Sequence, residues 1–259
     1  KQAQEIVIVS EGSYSAKKML IRDCWMVDQC DVLVAVYDGS KSGTGHTVEY
    51  AEKIVKLGSE CIGLVCEDGV VNISDRRIRD KLVTPESMNK VYEIDEHIMA
   101  TAAGILSDAR MLVDQAQVLS QQHRVTYDSP IDPVEVIKLI ADKKQMFTQY
   151  GGVRPFGASL LVGGTNKGKA HLFTSDVYGN YYSFRANAIG ENDEKIKEIL
   201  RKDFKDDMKI DDGIKFGLKI FKEILDKNFD LVRFDIGYIK TAENKLVRLH
   251  GDELKKFVR

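Results

Sequence analysis

At 259 residues, with 43% apolar and 30% charged residues, the chain has room for one large domain, or one domain with an appendage, of ordinary globular composition. A formal net charge of −2 argues against a nucleic-acid binder, which would carry a basic surplus. No apolar run reaches bilayer length, the opening Lys-Gln-Ala-Gln-Glu shows no signal-peptide pattern, and the four cysteines form no CxxC pair, so a cytoplasmic protein with buried free thiols is expected.

Residues 5–9 predict a buried strand, 15–28 a helix and 32–37 a second apolar strand. The glycine- and serine-rich loop 38–46 then leads into a helix at about 47–57. Strand, helix, strand, glycine loop and helix is the pattern of a parallel α/β unit. Gly43, Thr44 and Gly45 stand before a helix, where backbone N–H groups and the helix dipole can hold a phosphate. The loop departs from both GxGxxG and GxxxxGK[ST], and a plain flexible loop is the competing reading.

Beyond residue 58 the pattern changes. Cys61–Cys66 and Val70–Ser74 flank Glu67-Asp68-Gly69, a hairpin signal carried by Asp-Gly. Strands are predicted at 90–94 and 98–102, then a long amphipathic helix from about Leu106 to Arg124, with Met111, Val118 and Leu119 at helical spacing. A second helix covers 133–147. Gly151 and Gly152 fit a left-handed cap for it, and Pro155 forbids a restart. Strands follow near 158–163, 169–174 and 181–187, the last two joined through 176–180. Helices at 192–204 and 211–227 place charge outward and an apolar side of Phe216, Leu218, Ile220, Phe221, Ile224 and Leu225 inward. A strand at 231–239 and a terminal helix at 251–258 close the chain. Antiparallel strand pairs interrupted by two helical hairpins predict helices outside two stacked sheets.

The segment Thr148-Gln-Tyr-Gly-Gly-Val-Arg-Pro-Phe-Gly157 resembles the signature of α-type subunits of the proteasome core particle. Val48-Glu-Tyr-Ala51, Asp75-Arg-Arg77, Tyr92-Glu-Ile-Asp95, Ser107-Asp-Ala-Arg110, Leu112-Val-Asp114 and Thr126-Tyr127 match in the same order, so the resemblance runs from about residue 47 to 259. It implies an α+β, four-layer αββα sandwich of the N-terminal-nucleophile hydrolase fold. It also implies a non-catalytic subunit that forms the outer ring with other α-type and β-type subunits and docks the C-terminal tails of regulatory ATPases. Residues 5–57 lack the family's Tyr-Asp-Arg tail and Ser-Pro-Asp-Gly turn. They resemble a partial Rossmann-like segment of the SLOG superfamily of nucleotide sensors, so the chain looks like a chimera, residues 1–46 joined to 47–259 through a shared helix.

Three positions match the layout of catalytic proteasome subunits: Ser59 after Gly58, Asp75 and Lys90. Such subunits use a free N-terminal amine as base, whereas Ser59 is internal and its nitrogen is an amide. A Ser59-dependent self-processing peptidase, exposed by cleavage at Gly58–Ser59, is the rival reading, and a nucleotide-sensing module in 5–57 is another. By resemblance, Lys90 lines a pocket between ring neighbours and pairs with an activator's terminal carboxylate, with Gly58, Glu49 and Tyr50 at further pocket or gate positions. His97, His123, His171 and His250 show no metal-ligand spacing, and His46 in the glycine loop is left open. Neither a cofactor nor a metal is expected.

Overall fold

The computed structural model describes residues 58–77, 82–84, 88–149 and 154–258. The expectations for strands 5–9 and 32–37, helices 15–28 and 47–57, the loop with Gly43, Thr44 and Gly45, pocket residues Glu49 and Tyr50, and the cap at Gly151 and Gly152 lie outside the described residues.

Two five-stranded antiparallel sheets stack face to face between helical layers. The strands are β1 (Cys61–Cys66), β2 (Gly69–Asp75), β3 (Val91–Asp95), β4 (Ile98–Gly104), β5 (Ala158–Asn166), β6 (Lys169–Ser175), β7 (Tyr181–Ser183), β8 (Ala186–Ile189), β9 (Phe234–Lys240) and β10 (Leu246–His250). One sheet runs β10-β9-β2-β1-β8 and the other β3-β4-β5-β6-β7. Helices α1 (Leu106–Tyr127) and α2 (Pro133–Gln149) pack on the second sheet, and α3 (Asp193–Asp203) and α4 (Ile210–Leu225) on the first. The αββα expectation for this part of the chain is met.

Each interlayer space has its own apolar cluster. Ile62, Leu64, Ile73 and Phe234 of the first sheet meet Ile196, Ile214, Leu218 and Phe221 of α3 and α4. Ala100, Leu160 and Val162 meet Leu112, Val136 and Ile137 of α1 and α2. Between the sheets, Val70, Val91, Met99, Leu161, Leu172 and Ile239 interdigitate. Alternate residues of one strand therefore serve two cores, as the period of two requires. The contact of α4 with its sheet is close: a Cβ on Gly217 would lie 2.3 Å from Ile73 Cδ1.

Several expectations need correction. Glu67 and Asp68, not Asp68 and Gly69, form the turn of the first hairpin, because Cys66 pairs with Gly69. A single strand over 181–187 gives way to two, in different sheets. The chain changes sheets at Phe184 and Arg185: Phe184 N donates to Leu172 O of β6 (2.9 Å), and Arg185 O accepts from Val65 N of β1 (2.8 Å). The strand at 231–239 begins only at Phe234, since the Asp230 side chain accepts from Val232 N and folds Leu231–Arg233 into a 3-10 turn. Strand β10 was not anticipated; it is a short edge strand whose polar Arg248 and His250 hide its period. The terminal element Gly251–Phe257 is a 3-10 helix. On α1, Met111 and Val118 are exposed and Leu119 half-buried, while Ala109, Leu112, Val113 and Ala116 face the sheet. Two small alanines share the buried stripe with Leu112 and Val113.

Candidate functional site

The start of β3 is held in place by β9. The backbone N–H groups of Lys90 and Val91 both donate to Asp235 Oδ2, at 2.7 and 2.8 Å. This pins Lys90 at the strand's entrance with its side chain only 5% exposed, and its ammonium donates to Ser59 Oγ. Ser59 is itself buried. The structure thus brings Ser59 and Lys90 together, as the resemblance implied.

Asp75, the third member, is engaged elsewhere. Its fully buried carboxylate accepts from Arg233 Nε at 3.1 Å and Arg233 Nη2 at 2.6 Å, and from the backbone of Arg77 at 2.9 Å. A bidentate guanidinium–carboxylate pair of this kind is directional and holds geometry well. Arg76 Nη2 donates to Val232 O at 2.6 Å, so the Asp-Arg-Arg run stitches β2 to the turn before β9.

A second ion-pair group frames Gly58 and Ser59. Gly58 O accepts from Glu191 N at 2.7 Å. Buried Glu60 accepts from Asn192 Nδ2 at 2.8 Å and from Arg77 Nη2 at 3.3 Å, and Arg77 also reaches Glu191 at 2.5 Å. Burial pulls against the charge on Arg77, but the Glu191 bond and the fields of Glu60, Glu191 and Asp75 outweigh it and leave its pKa raised. Gly190 turns under this group with φ +101°, and a Cβ there would sit 2.7 Å from Ser59 O. Glu191 and Asn192 thus bind the backbone and side chains around Ser59. Cys61 is fully enclosed beside this group, and burial pushes its thiol pKa up; Cys66 is likewise pushed up, to about 12, chiefly by burial.

Sequence reasoning missed Asp235, Arg233, Glu60 and Glu191. The one local signal was Asp235 inside the otherwise apolar run Phe234-Asp-Ile236: a carboxylate there must find donors, and it finds two backbone N–H groups.

The corner at Arg154 has a structural task. Its guanidinium grips both carboxylate oxygens of Asp108 in the first turn of α1. Gly157 N donates to the same carboxylate at 2.7 Å, and Ile105 N donates to Gly157 O at 2.9 Å. A Cβ on Gly157 would meet Ile105 Cδ1 at 2.7 Å, so the final glycine of the signature is fixed by close approach. The Arg-Pro-Phe-Gly and Ser-Asp-Ala-Arg segments are two halves of one joint.

Lys144 of α2 is buried completely, and its ammonium donates to Ser175 Oγ (2.8 Å), Asp176 O (3.0 Å) and Ser175 O (3.3 Å). Three acceptors match its three protons and tie α2 to the turn after β6. Burial nevertheless lowers its pKa to about 7, with Asp176 and Asp108 opposing the shift.

The histidines stand apart: His97 Nε2 lies 2.8 Å from Ile131 O, His123 packs on Tyr127, His171 stacks on Phe173 and His250 sits 3.3 Å from Asp235. Among the described residues, no group of three or more His, Cys, Asp and Glu is placed to hold a metal ion, and no helix is long and apolar enough to cross a membrane.

Comparison with known proteins agrees with this geometry. Residues 55–239 match the family described as proteasome subunit. The chain is 38% identical over 224 residues to the proteasome subunit alpha of Archaeoglobus fulgidus, covering 85% of this chain and 89% of that protein. The proteasome subunit alpha of Methanosarcina acetivorans is 38% identical over 219 residues, with coverage of 85% and 89%, and that of Pyrococcus abyssi is 38% identical over 219 residues, with coverage of 85% and 84%. With a two-sheet sandwich of the expected order and relatives matched over most of both chains, the chain belongs to the proteasome subunit family, as an α-type member.

Proposed function

We propose that this protein is a non-catalytic, cytoplasmic subunit of the outer ring of a proteasome core particle, and that it offers a carboxylate pocket to regulatory ATPase tails. The observation that carries the non-catalytic reading is the engagement of each would-be catalytic group. Ser59 bears a peptide amide instead of a free amine, Asp75 is paired bidentately with Arg233, and Gly58 and Ser59 are held beneath Glu191 and Gly190. A buried serine whose own nitrogen is an amide lacks the free amine that catalytic subunits use as base. Purified full-length protein is expected to show no turnover of fluorogenic peptides, and Ser59→Ala to leave that blank rate unchanged. A processed species starting at Ser59, together with peptide cleavage, would overturn this and favour the self-processing peptidase.

For docking, Lys90 is the anchor that the resemblance implies, with Gly58 beside it and Glu49 and Tyr50 as further contacts. Its ammonium is already aimed at Ser59 Oγ, and a tail carboxylate would replace that neutral acceptor with a charged one. In an assembled ring, Lys90→Ala is expected to weaken binding of activator peptides by about 2–5 kcal/mol; equal affinity refutes the pocket role.

The family model matches from residue 55, whereas the alpha-subunit relatives cover 85% of the chain, a span that takes in residues 43–45 as well. The alternative reading, a foreign SLOG-like segment in which Gly43, Thr44 and Gly45 hold a nucleotide phosphate, rests on the sequence resemblance alone. Calorimetric titration of the full chain with nucleoside triphosphates tests it, and absence of heat removes it.

A further inference from the structure

The carboxylate pocket proposed above depends on where Lys90 presents its ammonium. The ladder of β3 with β4 begins at Val91, paired with Thr101, so Lys90 stands one residue before the paired strand. Its backbone N–H goes instead to a carboxylate of the opposite sheet, Asp235 of β9. The same oxygen, Oδ2, accepts from Val91 N. One atom thus fixes the amide groups on both sides of the Lys90 Cα.

Asp235 has no exposed surface and lies between Phe234 and Ile236, which are buried as completely. An apolar residue would suit such a strand position, and a carboxylate there is unfavourable unless donors meet it. The two donors that meet Oδ2 belong to the root of Lys90 and the residue after it. Asp235 is itself held from both neighbouring strands. On β2, Ser74 stands opposite Asp235 and Asp75 opposite Phe234. Arg233 donates to both oxygens of Asp75, and Arg76 to Val232 O, which ties the turn Leu231–Arg233 to β2 directly ahead of Asp235. On β10, His250 stands opposite Asp235, with its Nδ1 3.3 Å from Oδ1, the oxygen that β3 does not use.

At the other end of the lysine, Ser59 Oγ receives the ammonium. Ser59 leads into β1 of the first sheet, as Asp235 belongs to β9 of that sheet. Lys90, at the opening of the second sheet, is therefore held at backbone and tip from across the sandwich.

We infer that Asp235 is a positioning residue for carboxylate recognition: it sets where Lys90 presents its charge, and so the preference of the pocket for a peptide that ends in a free carboxylate. This rests on the docking reading above and deepens it by naming the residue on which that specificity depends. A lysine carries a compact charge on a flexible four-carbon stem, and it selects a carboxylate sharply only when the stem's root is fixed. Binding groups need placement to within about 0.5 Å, which supporting hydrogen bonds supply.

The test uses the full-length chain in its assembled form and two fluorescent probes. One is the C-terminal peptide of a regulatory ATPase with a free carboxylate; the other is the same peptide ending in a carboxamide. The readout is the ratio of their affinities, since a general loss of folding or assembly lowers both and leaves the ratio. Wild type is expected to favour the carboxylate at least tenfold, and Lys90→Ala to abolish the preference. Asp235→Ala is expected to cut the ratio at least fivefold, and to change it no further in the Lys90→Ala background. Asp235→Asn keeps an oxygen for the two N–H groups and is expected to retain at least half of the wild-type ratio. A wild-type ratio in Asp235→Ala, or a ratio lost as fully in Asp235→Asn as in Lys90→Ala, would overturn the positioning role and leave the docking reading intact. The asparagine variant decides the matter even where the alanine variant fails to fold. A wild type that binds both peptides equally would overturn the docking reading and the positioning role together.

Discussion

Replacing Asp108 with alanine is expected to destabilise the protein by about 3–5 kcal/mol, the usual cost of breaking a buried ion pair by removing one partner. Asp108 and Arg154 are both largely buried, and the carboxylate also accepts from Gly157 N, so its loss removes the guanidinium's counter-charge and a backbone acceptor together. The joint sets the angle between α1 and the entry to β5, so the damage should spread through the core shared by Leu112, Val136 and Leu160. Arg154→Ala should cost a similar amount. The double variant should cost clearly less than the sum of the two, because partners in one network do not add. Chemical denaturation of the four proteins measures this; additive effects, or a single-variant cost below about 1 kcal/mol, would refute the joint as a stability element.

The second large effect concerns pH. Lys144 has a folded pKa near 7 against the ordinary 10.5, lowered by burial. Below about 7 the amine is protonated in both folded and unfolded chains, and it contributes no pH dependence. Between about 7 and 10.5 the unfolded chain binds more protons, so stability attributable to this residue rises with pH, with a slope of up to about 1.4 kcal/mol per unit. Above 10.5 it is flat again. Lys144→Met removes the titration while keeping an unbranched stem. The difference in unfolding free energy, wild type minus variant, should therefore grow from pH 7 to pH 10 in favour of wild type. A difference that stays constant across that range would show that the buried amine keeps an ordinary pKa.

Much of this molecule was legible because its elements are locally consistent. The α4 stripe of Leu218, Ile220 and Phe221 has the helical period and packs on the first sheet as read. The hairpin of β1 and β2 was visible in two apolar runs around Glu67-Asp-Gly69, though the turn fell one residue early: Gly69 is required by the close approach of Ile239 O, not by the turn. What escaped was non-local. No pattern in 181–187 reveals that Phe184 bonds one sheet and Arg185 the other. The exposed Met111 and Val118 misdirected the face of α1, because the buried face is carried by Ala109, Leu112, Val113 and Ala116 while these two larger apolar residues face outward. At the site, the meeting of Ser59 with Lys90 was implied by resemblance, but the partners that occupy Asp75 and position Lys90 come from β9 and the 3-10 turn before it, some 150 residues later in the chain, and local spacing carries no trace of them.

The central claim is that this chain is a ring-forming α-type subunit. Native mass spectrometry of the full-length protein at micromolar concentration tests it most directly. The account predicts one closed species of a single defined copy number, stable on dilution, with few open intermediates. A monomer at every concentration, or an open ladder of oligomers that grows with concentration, would contradict it.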